Sequence, residues 1–114
     1  MIPDGWTRYE IEDLIGTAEP EVLAEVPIVI SLDPPDASWA EEICLDLTDH
    51  DDPLVRGNAV LALGHLARTT GDLDEERARA AICAGLEDED EYVRDQAEAA
   101  ADDVETFLEW VIER

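Results

Sequence analysis

Asp52-Pro53-Leu54-Val55-Arg56-Gly57-Asn58-Ala59 and Asp90-Glu91-Tyr92-Val93-Arg94-Asp95-Gln96-Ala97 write one pattern twice, and their alignment decides the fold. Asp, Val, Arg and Ala coincide at an offset of 38 residues, and Ala62 continues onto Ala100. Just upstream, Ile43-Cys44 with Leu47, Asp49 and Asp51 matches Ile82-Cys83 with Leu86, Asp88 and Asp90 at an offset of 39. Chance can supply one such match. Two adjoining ones, separated by a single-residue gap, are far harder to obtain that way. A period of about 40 residues holding two helices marks a helical solenoid, in which each unit buries its apolar face against its neighbours.

The apolar spacing around the repeats is helical throughout. Trp39, Ile43, Cys44 and Leu47 stand at the i, i+4, i+5, i+8 positions of a buried face. Val55, Ala59, Ala62, Leu63 and Leu66 line the next helix, which ends near Thr70-Gly71. Ala78, Ala81, Ile82, Cys83 and Leu86 face inward from another, and Val93, Ala97, Ala100 and Ala101 from the one after it. Asp36 or Ser38, Asp52 with Pro53 at the first helical position, and Asp74 are the helix starts. Asp102-Asp103 read as a break before a last helix carrying Val104, Phe107, Leu108, Val111 and Ile112.

Upstream of the repeats, Thr7 and Glu10 form a capping box for a helix with Ile11, Leu14 and Ile15 on one face, ending at Gly16. Thr17 caps a second, with Val22, Leu23, Val26 and Val29 or Ile30 inward. Pro27 falls inside it, where proline costs about 3 kcal/mol in a straight helix, so a kink or break is expected. A strand over 28–32 is the lesser alternative, since no second strand exists to pair with it. Pro34-Pro35 stops the segment. The fold class is all-α, with six or seven antiparallel helices in two to three pairs.

At 114 residues the chain has the length of one domain, and its 46% hydrophobic content is enough for a core. No apolar run approaches the ~20 residues a membrane span needs, and no basic-apolar-small signal opens the sequence. A cytoplasmic address is expected. The charge is extreme: 31 acidic against 7 basic side chains, a net charge of −24, with every basic residue an arginine. Such a surface repels nucleic acid and anionic membranes and attracts basic proteins. Three readings stay open: a basic partner, a solvated or salt-adapted surface, and metal binding.

The pattern Asp-x-x-Val-Arg-x-x-Ala-x-x-Ala-Leu-Gly at Asp52, Val55, Arg56, Ala59, Ala62, Leu63 and Gly64 closely resembles the HEAT repeat. The second copy keeps Asp90, Val93, Arg94, Ala97 and Ala100 but has Ala101 and Asp102 where Leu-Gly would stand, a departure that marks a partly capping last repeat. The resemblance covers roughly residues 38–114. It implies a short right-handed α-solenoid, with divergent helices over 1–35, one repeat over 36–71 and a second, with its cap, over 72–114. It also implies that Asp52 and Asp90 cap helices and that Arg56 and Arg94 form a ladder between repeats. Ala59, Ala62, Ala97 and Ala100 are small where helices approach closely.

Catalytic patterns are missing. There is no Gly-rich phosphate loop, no Gly-x-Ser-x-Gly elbow and no Cys-x-x-Cys. HEAT-like enzymes that hold iron use His-Glu pairs, and this chain has no such dipeptide. His50 lies in an acidic loop, and His65 beside an apolar stripe. Asp49, His50 and Asp51 could offer a weak hard-cation site, weighed against a solvated turn. Cys44 and Cys83 read as small buried hydrophobes. No catalytic, cofactor or metal residue is assigned.

What remains is surface. The segments 49–52 and 87–91 are repeat-equivalent, so solenoid stacking should bring Asp49, Asp51, Glu87, Asp88, Glu89 and Glu91 onto one edge, while acids on the outer helix faces stay dilute. Tyr92 should face outward beside them as an anchor. Trp39 should pack inward; Trp6, Tyr9 and Trp110 are further aromatics for contact. In architecture, size and charge the chain resembles immunity proteins of contact-dependent and other polymorphic toxin systems of bacteria. That resemblance implies a monomer that neutralises a cognate toxin, most naturally a basic nuclease. The alternatives are a general acidic HEAT scaffold or adaptor, and a regulatory or lyase-like helper of a cofactor-bearing protein.

Overall fold

In the computed structural model, which describes residue 2 and residues 4–114, the chain folds into seven α-helices with no strand among those residues. They are α1 (Arg8–Thr17), α2 (Pro20–Leu23), α3 (Glu25–Leu32), α4 (Ala37–Leu47), α5 (Pro53–Thr70), α6 (Glu75–Leu86) and α7 (Glu91–Leu108). Short side chains with an oxygen acceptor decide where five of them begin. Thr7 and Glu10 close the capping box of α1. Asp36, Asp52, Asp74 and Asp90 accept from the free N–H groups of α4, α5, α6 and α7. Pro27 stands in the first turn of α3, where it forfeits no hydrogen bond, and the expected break falls just before it at Ala24. The β-branched run after it is therefore helix.

Two helix layers follow from residue size. On α5 and α7 the facing residues are glycine and alanine, and these two helices make the most extensive contact in the molecule. A Cβ on Gly64 would stand 3.0 Å from the Ala100 backbone and 2.7 Å from the Asp103 carboxylate. Packed α3, α5 and α7 thus form a tight inner layer. Helices α4 and α6 pack against each other only slightly and are joined by the Arg77 fork on Glu42. The outer layer is splayed, and grooves open between its helices.

The core runs through both repeats. Val55, Ala59, Ala62 and Leu63 of α5, and Val93, Ala97 and Ala100 of α7, are fully buried, so the 38-residue register holds in space as well as in sequence. The C-terminal expectation does not hold. Helix α7 continues through Asp102 and Asp103, and the following segment 109–114 is not helical. Asp102 faces solvent and Asp103 lies along Gly64, so neither charge is forced into an apolar setting that would break the helix. The turn comes instead at Glu109, which adopts a left-handed conformation at φ 59°. The last segment then folds back, with Ile112 buried and Arg114 reaching Asp102 and Glu105 of α7. Phe107 and Val111, expected inside, are 46% and 73% exposed.

Candidate protein-binding edge

The loops before α5 and α7 are built alike. In the first, the N–H of the capping Asp52 donates to Nδ1 of His50 at 3.0 Å; in the second, that of Asp90 donates to Oδ1 of Asp88 at 2.9 Å. Arg56 donates from Nη1 to the carbonyl of His50, and Arg94, one repeat on, from Nη1 to the carbonyl of Asp88. His50 and Asp88 are thus the same position in two repeats. Arg56 also reaches across, donating to both Asp88 oxygens at 2.7 and 2.9 Å. One rung of the expected ladder is formed, from Arg56 to the loop residue Asp88, whereas Arg94 bonds within its own repeat.

This fork decides the charge of Asp88. The Arg56 guanidinium, aided by the Asp90 N–H, holds its carboxyl below the usual range, while Asp88 raises the affinity of Arg56 for its proton. Asp88 is only 14% exposed and faces inward, not onto the rim where it was expected. Asp49, Asp51, Glu87, Glu89 and Glu91 are exposed; the first four stand on the two neighbouring loops and Glu91 opens α7. Between the loops lies a groove of about 540 Å³ with Asp49, Asp51 and Glu89 on its walls and the Arg56–Asp88 pair, Val60 and Gly85 at its base. Its shape and charge suit a lysine or arginine side chain from outside.

Tyr92 is turned partly outward, at 38% exposure, but is not free. Its ring covers Gly57, and its hydroxyl donates to the side-chain oxygen of Asn58. Partial burial pushes the phenol pKa up. It can present one edge to a partner from a fixed position.

A second acidic feature escaped the reading of the sequence. Glu91, Asp95, Glu98, Asp102 and Glu105 follow one another at alternating steps of four and three along α7. That spacing sets them in one line up the helix. Outer-face acids are therefore not dilute here. Arg114 folds back onto Glu98, Asp102 and Glu105, which leaves Glu91 and Asp95 continuous with the rim. The signal was present as a heptad spacing of charges, a pattern sought only in apolar residues.

Among the described residues no group of three or more His, Cys, Asp and Glu side chains comes together to hold a metal ion. His50 spends its Nδ1 lone pair on the Asp52 N–H. His65 sits against the Ser31 hydroxyl, its pKa lowered by burial and by Arg68. Cys44 is buried and its thiol pKa strongly raised, first by desolvation and then by Glu41; Cys83 is half-buried. Trp39 is half-buried and stacks on Trp6 at 6.2 Å, whereas Tyr9 is exposed. Trp110 lies under the Arg79 guanidinium. No helix among the described residues is long and apolar enough to cross a membrane.

A family model for HEAT repeats matches residues 10–102. The chain belongs to the HEAT-repeat family. Within this HEAT protein the match takes in all of α2–α6 and most of α1 and α7, more of the N-terminal helices than the repeat pattern alone covered. A comparison with curated proteins finds no match. Among solved structures, the chain is similar to one in the crystal structure of a CDI complex from Cupriavidus taiwanensis, with 27% sequence identity and a TM-score of 0.78. The similarity covers 94% of this chain and 95% of the other.

Proposed function

We propose that this HEAT protein is the immunity component of a contact-dependent inhibition system, neutralising a cognate toxin by binding it. The observation that carries the reading is the end-to-end similarity to a chain of a CDI complex. The acidic edge built on the two repeat loops supplies a physical reason. A nuclease toxin must hold phosphates in a basic groove, so Asp49, Asp51, Glu87, Glu89 and Glu91 offer a complementary surface. Tyr92 provides an anchor fixed by Asn58. Opposite charge steers association, up to about 10⁸–10⁹ M⁻¹s⁻¹ at low salt, and self-protection requires that speed. The protein acts by occupying surface, as a cytoplasmic monomer, and not by catalysis.

The test is survival. Cells expressing the toxin domain encoded beside this chain should live when the chain is co-expressed and die without it. Equal survival with and without the chain overturns the reading. The alternative is a general acidic scaffold, which the acidic line on α7 favours because it extends beyond the rim. It predicts no protection from any single toxin.

A further inference from the structure

Helices α1 and α4 stand apart in the outer layer and are bridged mainly at one end. There Trp6 stacks on Trp39, the Arg8 guanidinium lies 5.1 Å from the centre of the Trp39 ring, and the Trp39 indole N–H donates to Glu12. Beyond this bridge runs a groove of about 560 Å³. Ile15, Trp39 and Ile43 line its floor, each partly buried against the core with one side left to the groove. Its walls are Glu12, Glu42 and Asp46, with Arg8 entering only at the bridged end, over the Trp39 ring. Arg77 covers Glu42 from the α6 side with a two-bond fork, whereas Asp46 is exposed and meets no partner among the described residues.

This groove differs in kind from the one between the repeat loops, which is polar and has an ion pair at its base. Here an apolar floor is offered together with a carboxylate wall. A purely charged ligand would leave the floor wet, and a purely apolar one would desolvate the acids without return. We infer that the α1–α4 groove docks a second segment of a protein partner, an amphipathic helix that places one large apolar side chain between Ile15, Trp39 and Ile43 and directs flanking lysine or arginine toward Asp46 and Glu12. Helix-in-groove recognition uses this combination of one buried anchor and a charged margin. Two spaced anchors, one polar and one apolar, fix a partner's orientation as a single acidic edge does not. The inference rests on the protein-binding reading but not on the partner's being a toxin.

The probe is a short amphipathic peptide of alternating lysine and leucine turns, with an oligolysine of equal charge as its comparison. Both are titrated at physiological salt into the full chain while the indole N–H resonances of Trp6, Trp39 and Trp110 are followed. The amphipathic peptide should shift Trp39 and bind at least tenfold more tightly than oligolysine. Asp46→Arg and Ile15→Gln, both at half-exposed or exposed positions, should each weaken it about tenfold, with helicity unchanged. Equal binding of the two peptides overturns the inference. So does indifference to both substitutions, or a response confined to Trp110. Survival in the toxin test is unaffected by these outcomes, so the two readings fail separately.

Discussion

Arg56 closes a two-bond fork on Asp88 from the next repeat, 32 residues along the chain, and thereby ties the two loops of the acidic edge together. Both side chains are largely covered, at 17% and 14% exposure, so the pair is screened far less than a surface ion pair. Asp88→Asn keeps the shape and removes the charge, and should cost about 1–3 kcal/mol in chemical denaturation. The pH dependence has a definite sign. The folded-state pKa of Asp88 lies below its unfolded value, so the contribution is complete above the unfolded pKa of about 4 and fades as pH falls through the folded one. Parent and variant should therefore differ fully at pH 7 and converge toward pH 2. A constant gap across that range would mean that the fork is not what Asn removes.

Glycine at two positions of α5 gives a paired test of close packing. Gly64→Ala gains about 1 kcal/mol of helix propensity but drives a methyl against the Ala100 backbone, which cannot yield. We expect a net loss of about 1–3 kcal/mol. Gly57→Ala meets side chains alone, the Tyr92 ring at 2.8 Å and Gln96 at 3.5 Å, so relief needs only that the ring give up its hydroxyl's bond to Asn58 and no backbone move. Its stability should change by less than about 1 kcal/mol, with tyrosine fluorescence reporting a more exposed ring. Equal melting of both variants would show that α5 and α7 are not locked by backbone contact.

The same substitution at two apolar positions separates core from surface. Val55→Asp buries a charge without a partner and should cost about 4 kcal/mol or more, a large share of the about 5–15 kcal/mol that holds a domain folded. Val111→Asp, at a position 73% exposed, should stay within about 0.5 kcal/mol. Thermal melts by circular dichroism decide the matter.

Neutralising the rim tests function without touching the ladder. Asp49→Asn, Asp51→Asn, Glu87→Gln, Glu89→Gln and Glu91→Gln together leave Asp88 in place. The quintuple variant should associate with the toxin about tenfold more slowly at low salt, and its rate should depend less on salt. Its stability should hold or rise, because like charges on neighbouring loops are removed. Parent-like association rates measured by stopped flow would relocate the contact to another face.

The repeats were legible because HEAT packing repeats its chemistry at a fixed interval. Asp52, Asp74 and Asp90 cap by short-range geometry, and Val55 and Val93 are buried by periodicity. Both signals are local, and both appear in the order of residues. What escaped depends on distant neighbours. Asp88 looks like any acid in an acidic turn until Arg56 is seen to reach it. Asp103 reads as a helix breaker until Gly64 is found beside it. Glu109 ends α7 in a left-handed conformation usually announced by glycine or asparagine, so nothing in its identity marks the turn. Phe107 carried an apolar label onto a face that the returning tail leaves uncovered.

The fork from Arg56 points one way only, and this gives the molecule an order in time. As the chain emerges during synthesis, α5 appears with Arg56 held only by the carbonyls of His50 and Asp51, without its carboxylate, and with the alanine-rich flank that α7 later covers still bare. No earlier segment supplies that carboxylate, because His50 fills the upstream place of the acceptor and offers a ring nitrogen that Asp52 already uses. The first half of the protein must therefore wait for the second before it becomes a finished surface. A ribosome-bound chain ending shortly after Thr70 should remain open to protease, and protection should arrive in one step once Leu108 has cleared the exit tunnel. Half a solenoid here is a surface with one flank and one ion pair unfinished.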